Sequence, residues 1–501
     1  MAFIHDSTEY TQTQADVKLV RDAVEGQAAI KRETTTYLPH PNMVDKVSQS
    51  QKARYEAYIG RAEFDSSCGQ TKKELIGAFT RAEHEIDLPD AVKYLEDDSD
   101  GDWLSLSDSI SVTAGNCLEV KYHILLAEFE DGGVDPSREI SKAERKSLKQ
   151  RAKIVHYPRE SLTNWSYKTV NGRMQLCNAC LTTENTELDE NFSKVTIKTQ
   201  LLLGLDPDGY YRQRLMASKI GDMSSVDMGE WIYPLAAGKR LDYIPVEIVV
   251  DERTYAGKLP KSTGYLGPIA QKDVARYQVN ADLKEKLAIL QDTVNSFGWD
   301  DNSWEQFKII NARDYVATGA GVSNQFPSGV SVDVLKLTAD GDAHFKYIEQ
   351  NEKQTRALGG RYDTEPDAQK QTATEAEINS AKENAVLTMI SRNTESAYRR
   401  LVAYCMQFEG VDIDPNDISI SVNRQFSSTS ITPEKAAGII AQYDARLISK
   451  ESAVKQLKAG GFGDADLTVE EEVDLIDQET PDPIVTQTPM LGEQKTVEVQ
   501  Q

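Results

Sequence analysis

Positive charge is scarce in this sequence. Its 501 residues carry 56 lysines and arginines against 80 aspartates and glutamates, a formal net charge of −24. Such a surface repels phosphate over most of its area, which speaks against a chain that grips nucleic acid along a broad basic stripe. Long apolar runs are missing as well: stretches such as Ile244–Val250 are strand-sized, far below the roughly 18 residues of a spanning helix. The opening MAFIHDSTEY has neither a basic head nor an apolar stretch, so no secretory signal is read there. Cysteine is sparse, five in all and scattered, which fits a reducing compartment and a soluble, intracellular fold.

The common catalytic signatures are missing too. No GxxxxGK[ST], GxSxG or HExxH occurs, and the many carboxylates are too dispersed to name an acid–base pair. The chain is therefore read as a non-enzyme, with no catalytic residue and no cofactor. One CxxC, Cys177-Asn-Ala-Cys180, keeps a redox or metal enzyme open as the alternative. A structural zinc site needs four ligands, yet Cys68, Cys117 and Cys405 are isolated and the histidines dispersed. The stretch reads as a strand rather than a strand-to-helix turn, so no metal site is assigned. Asp97–Asp102 invites a calcium loop, but with Gly101 at the turn the closing position is Ser107. The bidentate carboxylate is missing there, and a turn leading into a helix explains the stretch better.

What is present is an ordered series of patterns. Residues 14–33, 50–64, 70–81 and 103–120 read as helices. Strand-like texture follows from Lys121 to about 258, with Tyr122–Phe129, Ser193–Lys198 and Ile244–Val250 as the clearest strands and a basic, helical insert at 141–153. From Gly267 the texture is helical again, with Leu283, Leu287, Leu290 and Val294 on one stripe ending before Gly298. Short strands are expected at Phe307–Ile310 and Val330–Leu337. A helix from Ala343 to Leu358 stops at Gly359-Gly360. The longest helix, about 373–408, places Val386, Ile390, Asn393, Ala397, Leu401, Tyr404 and Phe408 on one face. Thr432-Pro433-Glu434 and Ser449-Lys450-Glu451 open two further helices. Residues 464–482 hold nine acids and no base, and those beyond about 479 read as disordered.

Between the last two long helices lies NEKQTRALGGRYDTEPDAQKQTATEAE, with helix-start phrases at Thr372–Glu375 and Thr374–Glu377. Its polar middle exceeds the roughly 2–8 residues usual between packed helices. The order of parts, together with local phrases, resembles the portal proteins of tailed bacteriophages. The phrases are Arg54–Phe64, Asp98–Gly101 with Leu104–Leu106, Gly267–Ala270 with Val279–Asp282, Phe345–Glu352, Leu358–Arg361, Thr372–Ala376 and Ile448–Ala453. The likeness runs from about residue 20 to 462; the insert at 141–153, the strands at 170–235 and the acidic 464–482 fall outside its pattern.

The resemblance implies an α+β portal fold: a mixed α/β wing (1–266), stem helices (267–296 and 341–358), a small clip (297–340), a channel loop (359–375), a long kinked helix returning to the wing (376–426), a helical crown (427–478) and a disordered tail (479–501). It implies a self-assembled ring, a dodecamer, at one capsid vertex of the virion, built in the host cytoplasm and away from membranes. Double-stranded DNA enters and leaves through it. The terminase large subunit and a tail adaptor are the implied partners at the clip, and the major capsid protein at the wing. Arg361, Gln369, Lys370 and Gln371 would touch phosphates weakly in the channel loop; Lys272, Arg276, Lys284 and Lys286 are candidate lumen groups on the first stem. Another phage structural protein, an adaptor or scaffold, is the remaining alternative.

Overall fold

The computed structural model describes residues 3–40, 49–129, 151–170, 172–188, 190–219, 226–252, 259–289, 293–316, 324–335, 342–359, 373–424, 426, 433–459, 462 and 467–479. The chain divides into two compact units, Met1–Phe426 and Ser427–Gln501. Helices and sheets are mixed within the first, an α+β arrangement.

Four helices open the first unit: α1 (Thr8–Glu25), α2 (Gln27–Arg32), α3 (Gln49–Arg61) and α4 (Ser67–Phe79). Strand β1 (Glu85–Asp87) and helix α5 (Leu106–Val120) follow. Ser105 caps α5 by accepting from the Asp108 N–H at 3.0 Å; the helix thus starts after Trp103, which lies in the preceding turn. That turn is closed by Asp98, whose carboxylate accepts from Gly101 and Trp103 and pairs with Arg151. Burial opposes the charge on Asp98, but the Arg151 guanidinium and these two N–H groups outweigh it and hold the carboxyl below its usual range.

Strands β2 (Tyr122–Phe129) and β3 (Ala152–Pro158) come next, then β4 (Leu162–Val170), β5 (Arg173–Leu188), β6 (Lys194–Leu205), β7 (Tyr211–Lys219), β8 (Asp227–Met228), β9 (Leu235–Ala236), β10 (Lys239–Arg240) and β11 (Val246–Val250). They form a three-stranded antiparallel sheet, β11-β2-β3, a five-stranded one, β4-β5-β6-β7-β8, and a two-stranded ribbon, β9-β10. Strand β2 is buried on both faces, hence its unbroken apolar run Ile124–Ala127. The helical insert expected at 141–153 is overturned at its end, where Ala152 already opens β3; residues 130–150 lie outside those described.

The chain then runs through α6 (Gly267–Ile289), β12 (Thr293–Phe297), α7 (Asp301–Asn311), β13 (Ser331–Leu335), α8 (Asp342–Ala357), α9 (Ala373–Phe408) and β14 (Ser419–Ser421), which pairs with β1. Two expectations fail here. The leucine stripe does not continue one helix to Gly298: α6 ends at Ile289, Leu287 is exposed, and Val294 pairs with Val334 in a ribbon. Phe307–Ile310 is helical, not a strand, because Asp300 and Ser303 form a reciprocal cap and Phe307 packs on Trp304 and Trp299.

Helix α9 carries the expected buried face, with Ile390, Ala397, Leu401 and Phe408 in one core with α5 and β2. Asn393 on that face donates to the Val250 carbonyl at 2.9 Å, and the Arg400 fork grips Glu247 of β11 with two bonds of 2.7 Å.

The second unit holds α10 (Pro433–Asp444), α11 (Lys450–Ala459) and α12 (Val469–Glu479). The last lies in the acidic stretch 464–482, where sequence reading assigns no separate helix. Its start is a capping box: Thr468 Oγ1 accepts from Glu471 N, and the Glu471 carboxylate accepts from Thr468 N. Lys458 of α11 ion-pairs with Glu472 at 3.3 Å, so part of the acidic charge is met locally.

Candidate functional site

Helices α6 and α8 form an antiparallel pair. Near one end Lys272 Nζ donates to Gln354 Oε1 at 2.6 Å, and Asn351 donates to the Lys272 carbonyl at 3.2 Å. Near the other, Lys286 Nζ lies 3.0 Å from His344 Nε2. Two glycines make the base of this pair. Gly264 runs so close to the end of α5 that a Cβ would meet the Leu118 carbonyl oxygen. Gly359 ends α8 with φ +96°, and the Tyr265 hydroxyl fills the space a side chain would need.

Helix α6 is anchored on its other side. Ile269, Ala270, Val274, Tyr277 and Ala281 are buried, and Tyr277 meets Phe64 edge-on at 5.8 Å. Tyr58 donates to Asp282 at 2.7 Å, Gln278 to the Tyr37 carbonyl at 2.8 Å, and Arg61 pairs with Glu285. Deep in this contact Arg276 Nη2 donates to the Asp65 carbonyl (2.8 Å), Ser67 Oγ (2.9 Å) and Asp273 Oδ1 (3.1 Å), while Asp273 Oδ2 accepts from Cys68 N (2.8 Å). Burial pushes the Asp273 carboxyl up to about 6, against the pull of the Cys68 N–H and the Arg276 guanidinium.

The four stem cations therefore separate. Arg276 is 2% exposed and faces the protein, so it does not join the others at a solvent-facing surface. Lys284 pairs with Glu63. Lys272 and Lys286 contact Gln354 and His344, and among the described residues neither makes an ion pair with a carboxylate. Arg361, Gln369, Lys370 and Gln371 lie outside the described residues.

Between the paired helices sits a tip with its own small core. Strands β12 and β13 make a two-stranded ribbon, and Trp299, Trp304, Phe307 and Phe326 stack beside it with centroids 5.0–6.1 Å apart. Asn311 ties the tip across the chain, accepting from Gln325 N at 2.9 Å and donating to its carbonyl at 2.7 Å. Phe297 (58%), Ile309 (79%) and Tyr315 (60%) remain exposed on it. Sequence reading missed this cluster, although Trp299 and Trp304, two of only five tryptophans, stand five residues apart.

Cys177 and Cys180 are both buried, free cysteines on β5. Cys177 falls at the register shift between β4 and β5. Cys180 packs with Leu202 and Met216, and its thiol lies 3.4 Å from Thr163 Oγ1. Burial pushes the Cys180 thiol up, away from reactive thiolate. Among the described residues no group of three or more His, Cys, Asp or Glu side chains could hold a metal ion. Nor is any described helix long and apolar enough to cross a membrane.

Residues 266–409, from α6 through α9, match a family described as a domain of unknown function (DUF4055). No curated protein matches the chain. Among solved structures, a chain from the virion of a native gene transfer agent particle is similar at 11% identity and a TM-score of 0.36, over 79% of this chain and 89% of that one.

Proposed function

We propose that this chain is the subunit of a phage portal ring, the conduit for double-stranded DNA at one capsid vertex. One observation carries the reading: a paired stem, α6 and α8, bears a ribbon-and-helix tip and leads through residues 360–372 into the 36-residue helix α9. That order is the stem, clip, stem, channel loop and long helix of the portal resemblance. One family description spans the same elements, which supports treating them as one inherited unit. The exposed Phe297, Ile309 and Tyr315 support it further, since apolar side chains gathered on one small lobe mark a protein–protein contact.

In this reading the tip is the clip, which meets its neighbours in the ring, the terminase large subunit and a tail adaptor. Residues 1–266 are the wing, facing the major capsid protein, and residues 427–478 form the crown. Residues 359–375, the expected channel loop, with Arg361, Gln369, Lys370 and Gln371, line the channel with Lys272 and Lys286. A net charge of −24 lets DNA slide rather than stick, because each neutralised phosphate adds salt-dependent affinity. The role is structural and needs no cofactor. The test is light scattering with negative-stain microscopy on the purified chain and on the chain expressed with its capsid protein. Rings of about a dozen subunits with a duplex-wide hole are expected. Monomers or dimers in both preparations refute the reading.

A further inference from the structure

A second cationic feature lies on the five-stranded sheet, away from the stem. Arg212 and Arg214 stand two apart on β7, so both side chains leave one face. Their guanidinium carbons lie 4.3 and 4.6 Å from the centroid of the Trp231 ring. Arg240 lies 4.5 Å from the Tyr233 ring and 5.6 Å from the Tyr210 ring. Asp206 joins the two groups: it accepts from Tyr210 N at 2.9 Å, is supported by the Tyr233 hydroxyl, and feels the charge of Arg212. The result is one row of three arginines interleaved with three aromatic rings.

The row is unusual in its charge balance. Carboxylates outnumber cations by 80 to 56 in this chain, and elsewhere in the first unit Arg21, Arg61 and Arg400 are drawn into ion pairs with them. Among the described residues no carboxylate makes an ion pair with Arg212, Arg214 or Arg240. Asp206 is the acid whose hydrogen bonds join the row, and Asp208, Glu230 and Asp242 are its exposed chain neighbours. The Nε atoms of Arg212 and Arg214 are buried without a hydrogen-bond partner. Stacking holds each guanidinium plane and leaves its N–H edge to take an anion. Residues two apart on a strand sit about 6.7 Å apart, comparable to neighbouring phosphates along one nucleic-acid strand.

We infer that Arg212, Arg214 and Arg240, held by Trp231, Tyr233 and Tyr210, form a binding site for the phosphodiester backbone of nucleic acid. Regular spacing and planar forks favour successive phosphates over an acidic peptide, whose carboxylates have no fixed separation. The site is independent of the ring reading, since it lies within one chain and needs no assembly.

The experiment is fluorescence anisotropy of the full chain with labelled 30-mer duplex and single-stranded DNA across a salt series. The triple variant R212Q/R214Q/R240Q is expected to lose at least tenfold in affinity at low salt. Its duplex salt slope should fall by about 2–3, as three lost phosphate contacts require. R212K/R214K/R240K, which keeps the charge, should retain most of the affinity should the glutamine variant fail to fold. Asp206→Asn, which keeps the turn acceptor and removes the negative charge, should tighten binding several-fold. The inference is overturned if the folded glutamine variant binds DNA as the wild type does, or if Asp206→Asn leaves the affinity unchanged. It is also overturned if polyglutamate at equal charge binds the row while DNA does not, because the partner is then an acidic protein segment. These outcomes stand whether or not the chain closes into rings.

Discussion

Replacing Asp273 by alanine tests the separation of the stem cations most directly. Asp273 and Arg276 are 1% and 2% exposed, so neither charge is screened by bulk water. The substitution takes an acceptor from the Arg276 guanidinium and strands the Cys68 N–H that donates at 2.8 Å. Breaking a buried pair typically costs about 3–5 kcal/mol. Arg276 keeps the Asp65 carbonyl and Ser67 hydroxyl, which places the charge term near the lower end of that range. An orphaned buried N–H adds about 1–3 kcal/mol. The sum is roughly 4 kcal/mol, a large part of the 5–15 kcal/mol typical of a folded domain. Urea unfolding followed by hydrogen exchange in α4 and α6 reads the loss. The double change Asp273→Leu with Arg276→Met removes both charges and should recover most of the stability. A loss below about 1 kcal/mol for Asp273→Ala, or a double variant no more stable than the single, would refute the reasoning.

Three further outcomes follow from the same geometry. Lys272→Gln with Lys286→Gln should change stability by less than about 0.5 kcal/mol, yet lower the salt slope of duplex retention in assembled rings by up to about 2; an unchanged slope removes these lysines from the lumen. Phe307→Ala, at a fully buried position, should cost about 3–5 kcal/mol within the tip. Exchange protection should vanish over 299–311 and persist over 386–408, and uniform loss across both segments contradicts a self-contained tip.

The last outcome concerns pH. His156 touches Ser109 Oγ at 2.7 Å and His123 at 3.0 Å, and burial pushes it down to about 4. The unfolded chain takes up this proton near pH 6.5 and the native chain does not. Stability is therefore full above about pH 6.5 and falls by up to about 3 kcal/mol as the pH drops toward 4. His156→Gln should flatten that part of the profile, measured as the urea midpoint at pH 7 minus that at pH 4.5; an equally steep profile denies His156 the role.

Local patterns carried much of the fold. The face of α9 from Val386 to Phe408 was legible because helical spacing repeats every turn, and β2 because a strand buried on both faces is apolar throughout. The start of α10 was readable from Thr432-Pro433, since a cap and a first-turn proline act within one turn of chain. Phe307–Ile310 misled for the opposite reason. Its β-branched, aromatic composition favours a strand, and what made it helical was the Asp300 cap together with aromatic partners as distant as Phe326. The leucine stripe in α6 misled because spacing shows a stripe without showing what it meets: Leu287 met solvent, and the buried contact was made by Ile269, Val274 and Tyr277.

By itself the sequence determined charge, the long helices and the doubly buried strand, and the absence of common catalytic signatures, because these are properties of composition and of neighbours along the chain. Only the tertiary structure decided which cations face water. Lys272 and Arg276 are one helical turn apart and indistinguishable as letters, yet Arg276 meets Asp65, Ser67 and Asp273 while Lys272 meets Gln354. The same holds for Arg212, Arg214 and Arg240, which no motif gathers. Antiparallel pairing and the turn at Asp206 set Arg212 and Arg214 on Trp231 and Arg240 beside Tyr233 and Tyr210, because burial and stacking depend on residues that only folding makes neighbours.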